Sequence, residues 1–282
     1  VRQLTVLATG PQALVQDLGR PGNAHLGVPP SGALDAPSLK LANRLVGNPE
    51  NAAGLELLLG GFHARAHESC TIAVTGPSVD VRVNERLVDS HSPVHLRADD
   101  VLAIGAPQTG LRSYLAVSGG IDVPAELGSR STDLLSGIGP AQIQKDQVLP
   151  LGTPGIPIGE DVVPPVQIPH ELVIPITLGP RDDWFDDPAK QLDGGRWTVS
   201  DRSNRVGARL DGTKLDRIVG ELPSEGMVTG AVQVPPNGLP VIFLNDHPTT
   251  GGYPVIGVVP GGYLPHIAQA RPGTKMRFRP LG

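Results

Sequence analysis

Glycine and proline, 36 and 30 residues of a 282-residue chain, interrupt this sequence so often that long helices are excluded. Proline removes a helix hydrogen bond and glycine raises the entropy cost of ordering, so the two residues act as punctuation between short elements. An apolar fraction of 39% is nevertheless too high for a disordered chain. Runs such as Thr71-Ile72-Ala73-Val74 and Val241-Ile242-Phe243-Leu244, bounded by turn residues, read as buried strands. The predicted fold class is mainly β with a few short helices, and the strand spacing favours a sandwich or barrel over a doubly wound sheet.

The length admits one large domain or two ordinary ones. Residues 150–169 hold many prolines and almost no alternating pattern, so the linker is placed there, dividing the chain into 1–162 and 163–282. In the first half Asp35-Ala36-Pro37 opens a helix with Leu39, Ala42, Leu45 and Val46 on one face, stopped by Gly47-Asn48-Pro49. Strands are expected near Leu55–Leu59, Thr71–Val74, Val79–Val83, Val94–Leu96, Val101–Ile104 and Ser113–Val117. The second half is predicted to place strands near Val173–Leu178, Trp197–Ser200, Ala208–Leu210, Gly230–Val234, Val241–Leu244 and Lys275–Arg279, with a short helix over Pro188–Leu192. A Val-Pro-Pro-x-Gly echo, Val28–Gly32 and Val234–Gly238, is either a chance recurrence or a mark of duplication.

Several function classes are disfavoured. A net charge of −5 provides no basic stripe for a phosphate backbone, so nucleic acid is not an expected partner. There is no long apolar span and no signal-like start, so no membrane partner is expected and a cytoplasmic location is the default. The single cysteine, Cys70, excludes a disulfide within the chain and fits a reducing compartment. Phosphate-loop, dinucleotide-binding and nucleophile-elbow motifs are missing, as are the Ser-Ser segment of amidase-signature enzymes and the Met-Lys-Met biotin-carrying motif. No metal is assigned. His63 and His67 lie on an alternating, strand-like run about 13 Å apart, and His91 and His95 flank Pro93; all four are expected to be solvated strand or loop histidines.

Three polar, Gly/Pro-rich segments are candidate site loops. The first, Gln16–Gly22, leads through His25 to Ser31 and Asp35, and concentrates Asp17, Arg20 and backbone amides where glycine lets a ligand approach. On the residues alone, a hairpin with an Asp–Arg surface pair is the favoured reading. The second is Glu225-Gly226-Met227, a site loop or a capped strand entry. The third, Leu244–Pro254, follows a buried strand. There Asp246 and His247 can serve as acid and base, Thr249 and Thr250 as donors to a substrate oxygen, and Tyr253 as a hydrogen-bonding lid; the alternative is a well-satisfied turn.

With these segments in view, a resemblance covers nearly the whole chain. Val15–Gly22, Gly27–Asp35, Leu41–Pro49, Tyr114–Asp122, Leu127–Thr132, Gly179–Asp183, Asp201–Gly207, Gln233–Gly238 and Thr249–Pro254 resemble, in order, the signature blocks of the biotin-dependent carboxyltransferase subunit family. That family includes 5-oxoprolinase C subunits, allophanate hydrolase subunit 2, urea carboxylase carboxyltransferase regions and an antagonist of a sporulation-kinase inhibitor. One block departs: the family more often shows Asp-Arg-Gln before Thr-Thr-Gly-Gly-Tyr-Pro, where this chain has Asp246-His247-Pro248. An arginine that contacts an anion would be replaced by a weaker, pH-dependent imidazole. The resemblance implies two tandem cyclophilin-like β-barrel domains, with the two Val-Pro-Pro-x-Gly turns expected at corresponding points of the two barrels, and a heteromeric enzyme in which A and B subunits join this chain to open the lactam of 5-oxoproline. ATP would be used by the complex, no cofactor would be bound by this chain, and the substrate would be a small amide. Asp246 would accept from its N–H, Thr249 and Thr250 would donate to its oxygen, and Arg20 would hold a carboxylate. The alternatives implied are a carboxyltransferase component, in which biotin takes part, and a non-catalytic regulatory partner.

Overall fold

A computed structural model describes residues 2–156, 163–165 and 167–281. The middle of the expected linker, 157–162 and 166, and with it the boundary after residue 162, lies outside the described residues. The chain divides into two compact units: Val1–Arg20, Ser31–Asp133 and Gly137–Gln167 form the first, and Pro21–Pro30, Leu134–Ser136 and Ile168–Gly282 the second. Among the described residues no helix is long and apolar enough to cross a membrane.

In the first unit the strands form two antiparallel sheets. One runs Val148–Pro150, Gln3–Thr9, Phe62–Ala66, Val101–Ile104, Val81–Val83, Arg86–Val88; the other runs Gln12–Gln16, Gly54–Leu58, Arg112–Val117, Cys70–Thr75, Val94–Leu96. Their common core takes Leu4, Val6, Phe62 and Ala64 from the first sheet and Leu55, Leu57, Ile72, Val74, Leu115 and Val117 from the second. The second sheet is covered on its other face as well. Ala73 and Ala116 pack against Ala42, Leu45 and Val46, and Tyr114 against Leu39, all from the helix Ala36–Leu45 and its end. Burial on both faces makes Arg112–Val117 buried at every position, whereas Phe62–Ala66 alternates buried and exposed.

The helix begins where the sequence predicts. Asp35 caps it, accepting from Ser38 N at 3.1 Å and Ser38 Oγ at 2.7 Å, and Pro37 sits in the first turn. A buried polar network ties this entry to the sheet. Glu56 accepts from Tyr114 Oη at 2.8 Å and Leu34 N at 3.0 Å, faces Arg112 Nε at 3.4 Å, and Tyr114 Oη accepts from Asp35 N at 2.8 Å.

The second unit contains a closed barrel in the order Glu171–Leu178, Val255–Val258, Ala231–Gln233, Val241–Phe243, Gly207–Gly212, Trp197–Val199, Lys275–Pro280. The last strand returns to the first in parallel, Glu171 opposite Lys275 through Ile176 opposite Pro280. Trp197 and Phe278 meet edge to face with centroids 5.2 Å apart. The predicted helix near Pro188 spans Pro188–Gly194, capped by Asp187.

Two expectations are corrected. His91 is buried, 1% exposed. Its backbone turns through a positive φ of 59° and its Nε2 lies 2.9 Å from the Gly76 carbonyl; His63, His67 and His95 are exposed as predicted. The Val-Pro-Pro echo does not mark equivalent turns. Pro235-Pro236-Asn237-Gly238 is a hairpin turn closed by Gly238 N donating to Pro235 O at 2.9 Å, between two paired barrel strands. The first copy instead lies between a 3-10 turn, Ala24–Leu26, and the capped helix. There a Cβ on Gly32, at φ +88°, would stand 2.7 Å from Gly19 N, so the glycine answers to a close backbone approach.

Tyr114→Phe should lower stability by about 1–3 kcal/mol, because the Asp35 amide loses its acceptor and Glu56 a donor in a dry interior; urea unfolding measures this. Burial, opposed by the Gly76 hydrogen bond, holds the His91 imidazole below its ordinary range. The unfolded imidazole protonates below about pH 6.5 while the folded one resists, so the unfolded state binds more protons there and stability falls as pH drops through that window. Urea midpoints taken from about pH 7.5 to 5 should decline less steeply in His91→Gln than in the parent chain.

Candidate functional site

The richest cluster lies in the second unit, where barrel strand Val241–Phe243 runs into Leu244–Pro254. The loop first folds back on the chain: Asp246 N donates to Arg205 O and His247 N to Leu244 O, both at 3.2 Å. Asp246 is fully buried and Arg205 is 3% exposed. Their side chains form a two-pronged pair, Nε to Oδ2 at 2.8 Å and Nη2 to Oδ1 at 3.0 Å, the strongest geometry available to these groups. Both carboxylate oxygens therefore face the chain's own guanidinium.

His247 is also buried. Its ring stacks on Phe243 with centroids 5.9 Å apart, and Nδ1 lies 2.8 Å from the Pro248 carbonyl. Because a carbonyl only accepts, Nδ1 carries the proton and Nε2 is the basic nitrogen. Burial depresses the imidazole's affinity for a second proton, against smaller opposing effects from the Pro248 carbonyl and Asp246, so the ring is neutral near pH 7.

Beyond His247 the loop turns outward. Thr250–Gly251 pairs with Glu225–Gly226 in a two-residue ladder, Glu225 opposite Gly251 and Gly226 opposite Thr250, and Met227 N donates to Thr249 O at 2.9 Å. The second and third candidate loops are thus one assembly. Thr249 and Glu225 are half-buried, Thr250 is exposed and Tyr253 is 43% exposed. Gln233 Nε2 donates to the Tyr253 carbonyl at 3.1 Å. A Cβ at residue 251 would come within 2.6 Å of that same nitrogen, so a side chain there would push the Gln233 amide from the Tyr253 carbonyl. Met227, Phe243 and Val255 belong to one apolar cluster beneath.

Arg181 completes the assembly. Its Nε donates to both Glu225 oxygens, at 2.9 and 3.1 Å, and its Nη2 also donates to Oε1. The Arg181 amide donates to the Val255 carbonyl at 3.0 Å, fixing the guanidinium beside the root of the loop. The pair holds the Glu225 carboxyl below its ordinary range. Sequence reasoning does not single out Arg181; its only signal is its place in the Gly179–Asp183 block.

The first-unit candidates do different work. Asp17 Oδ1 accepts from Gly19 N at 2.7 Å and from the Ser129 and Ser131 hydroxyls at 2.6 Å each, while Oδ2 accepts from Arg130 N at 2.7 Å. Arg20, 2% exposed, donates through Nε to the Glu126 carbonyl at 3.3 Å and through Nη2 to the Ser131 carbonyl at 2.5 Å. Ser31 is buried with a positive φ of 52°. These contacts staple Gln16–Arg20 to Glu126–Thr132. His25 belongs to the second unit and is exposed, with Nδ1 3.2 Å from Gly22 O.

Asp246→Ala should cost about 3–5 kcal/mol, since it strands the buried Arg205 charge, whereas Thr250→Ala, at an exposed position, should stay within about 0.5 kcal/mol of the parent. Urea unfolding of the two variants separates a strut from a surface-displayed group.

Residues 26–280 match the model of the carboxyltransferase domain, subdomain A and B. The C subunit of the Escherichia coli 5-oxoprolinase is 38% identical over 98% of this chain and 90% of its own length, and that of Haemophilus influenzae is 30% identical over the same shares. Among solved structures, the urea amidolyase of K. lactis superposes with a TM-score of 0.90 at 31% identity over 99% of this chain, which spans 19% of that protein. TTHA0988 superposes with a TM-score of 0.90 at 34% identity, and this chain spans 56% of its length. The chain belongs to the carboxyltransferase domain subdomain A and B family.

Proposed function

We propose that this chain is the C subunit of an ATP-dependent 5-oxoprolinase, opening the lactam of 5-oxoproline to glutamate together with A and B subunits in the cytoplasm. The observation that carries the reading is the 38% identity that extends over 90% of the E. coli C subunit. In this reading the chain is built of two cyclophilin-like barrel domains, 1–162 and 163–282, the complex consumes ATP, and this chain holds no cofactor of its own.

The second unit's loop assembly suits such a substrate. A lactam presents an oxygen that needs donors and an N–H that needs an acceptor. Thr249 and Thr250 hydroxyls are the donors at the half-buried and exposed positions of the loop, and a neutral His247 serves as general base through Nε2 rather than as the acceptor of the N–H. Tyr253, exposed at the end of the ladder, covers the bound ring. Asp246, paired with Arg205, acts by holding the loop in place, and Asp17, Arg20 and Ser31 act by bracing the first unit.

A second reading, carboxyl transfer to urea with biotin as carrier, is favoured by the match to K. lactis urea amidolyase. Coexpression of this chain with its A and B partners, followed by an assay of ATP-dependent glutamate release from 5-oxoproline, decides between the two. Release is expected. A well-folded complex that makes no glutamate but accepts a carboxyl group from carboxybiotin onto urea overturns the proposal.

A further inference from the structure

We infer that the Arg181–Glu225 ion pair is the substrate-specificity element of this site: it opens to admit a ligand carrying an N–H next to a carboxylate, and closes on itself when none is bound. The inference rests on the 5-oxoprolinase reading and goes beyond it by naming what selects the substrate.

Three observations converge on this pair. First, a carboxylate-bearing substrate needs a cation it can reach. Arg205 is sealed against Asp246 with 3% side-chain exposure, Arg217 lies over the Trp184 ring at 5.9 Å, and Arg20 is buried in the first unit. Arg181, with 37% of its side chain exposed, presents a planar fork that matches a carboxylate, and in the resting chain a carboxylate, that of Glu225, occupies it. Second, the pair is built onto the loop that carries Thr249: Glu225 stands opposite Gly251 in the ladder, on the face that alternation assigns to residues 249 and 251, and the Arg181 amide is tied to Val255. Third, the chemistry of the two partners mirrors that of the ligand. In 5-oxoproline the ring nitrogen and the carboxylate are attached to the same carbon. A carboxylate that takes over the Arg181 fork releases Glu225, whose oxygens then accept from the adjacent N–H. The exchange replaces one charge-assisted pair by another and leaves the Glu225 carboxylate, 25% of its side chain exposed to water, hydrogen-bonded to the N–H in place of the cation.

The same exchange explains discrimination. Urea has N–H groups but no anion to compete for Arg181, so the pair stays shut against it. A lactam without the carboxylate meets the same barrier.

The test uses the assembled wild-type complex and its Arg181→Gln and Arg181→Lys variants, each confirmed as folded by its thermal unfolding curve. Binding of 5-oxoproline and of 2-pyrrolidinone, the lactam lacking the carboxylate, is measured by calorimetry or ligand-observed NMR beside the kinetics. Arg181→Gln should raise KM for 5-oxoproline by about 10–100-fold, with a smaller effect on kcat, and, by freeing Glu225, strengthen the weak binding of 2-pyrrolidinone. Arg181→Lys should recover part of the loss, because it restores charge without the fork. A wild-type complex that turns over 5-oxoproline while Arg181→Gln keeps its KM, or loses affinity for both lactams alike, overturns this assignment alone. A wild-type complex that neither binds nor hydrolyses 5-oxoproline overturns the parent reading and this assignment with it.

Discussion

A carboxylate withdrawn from water is costly unless donors surround it, and the cost rises as the surroundings become drier. Three such groups organise this chain. Glu56 joins the two-sided sheet of the first unit to the entry of its helix through Tyr114 and Leu34. Asp17 collects two amides and two hydroxyls from separate stretches of chain, and Asp246 fastens a barrel loop to Arg205. Each is satisfied by the chain itself, so each fixes a loop in one arrangement. The acid-base capacity left near the surface of the second unit then falls to groups whose partners can be exchanged, above all Glu225, and to the neutral imidazole of His247.

The closed barrel gives that loop a rigid base. Parallel return of Lys275–Pro280 to Glu171–Leu178 removes the free edges a sheet of short strands would otherwise expose. Strand ends can then carry polar, glycine-rich loops without loosening the sheet. Gly251 lets the loop approach Gln233, the ladder to Glu225 sets its height, and Phe243 and Met227 form a floor that excludes water from one side. A half-buried Thr249, an exposed Thr250 and an exposed tyrosine at the rim follow from this layering.

Most strands are legible in the sequence because Gly and Pro delimit them and because burial on both faces makes their runs apolar throughout. Gln12–Gln16 and Val255–Val258 escape although they are mostly buried, and others escape for two reasons. Gln3–Thr9 is half-buried along much of its length, so no apolar run announces it, and Val148–Pro150 is three residues long. Closure of the barrel is a pairing across about a hundred residues of chain, which local pattern does not encode. The site is legible as loops and not as partners. Asp17, Arg20 and Asp246 look like surface chemistry in a sequence because charge implies exposure on average; their burial depends on distant donors and acceptors, among them Ser129, Ser131 and Arg205, that no local spacing connects to them. His91 misleads for the same reason, since the Gly76 carbonyl that receives it lies fifteen residues away.

The His247 substitution ties these points together. Where the resembled family more often carries an arginine before its threonines, this chain carries an imidazole that is buried, stacked on Phe243 and kept from protonation by desolvation. Such a ring cannot hold an anion. If the site binds a carboxylate, the positive charge must come from another element of the same assembly, tied to the same ladder but not sealed against a buried acid. Arg181 meets both conditions, and its present partner, Glu225, is itself a carboxylate on the strand paired with Thr250–Gly251. Removing the cation from the loop and keeping one on the neighbouring Gly179–Arg181 corner leaves the loop neutral when empty, so that its charge balance depends on an exchangeable pair on its flank.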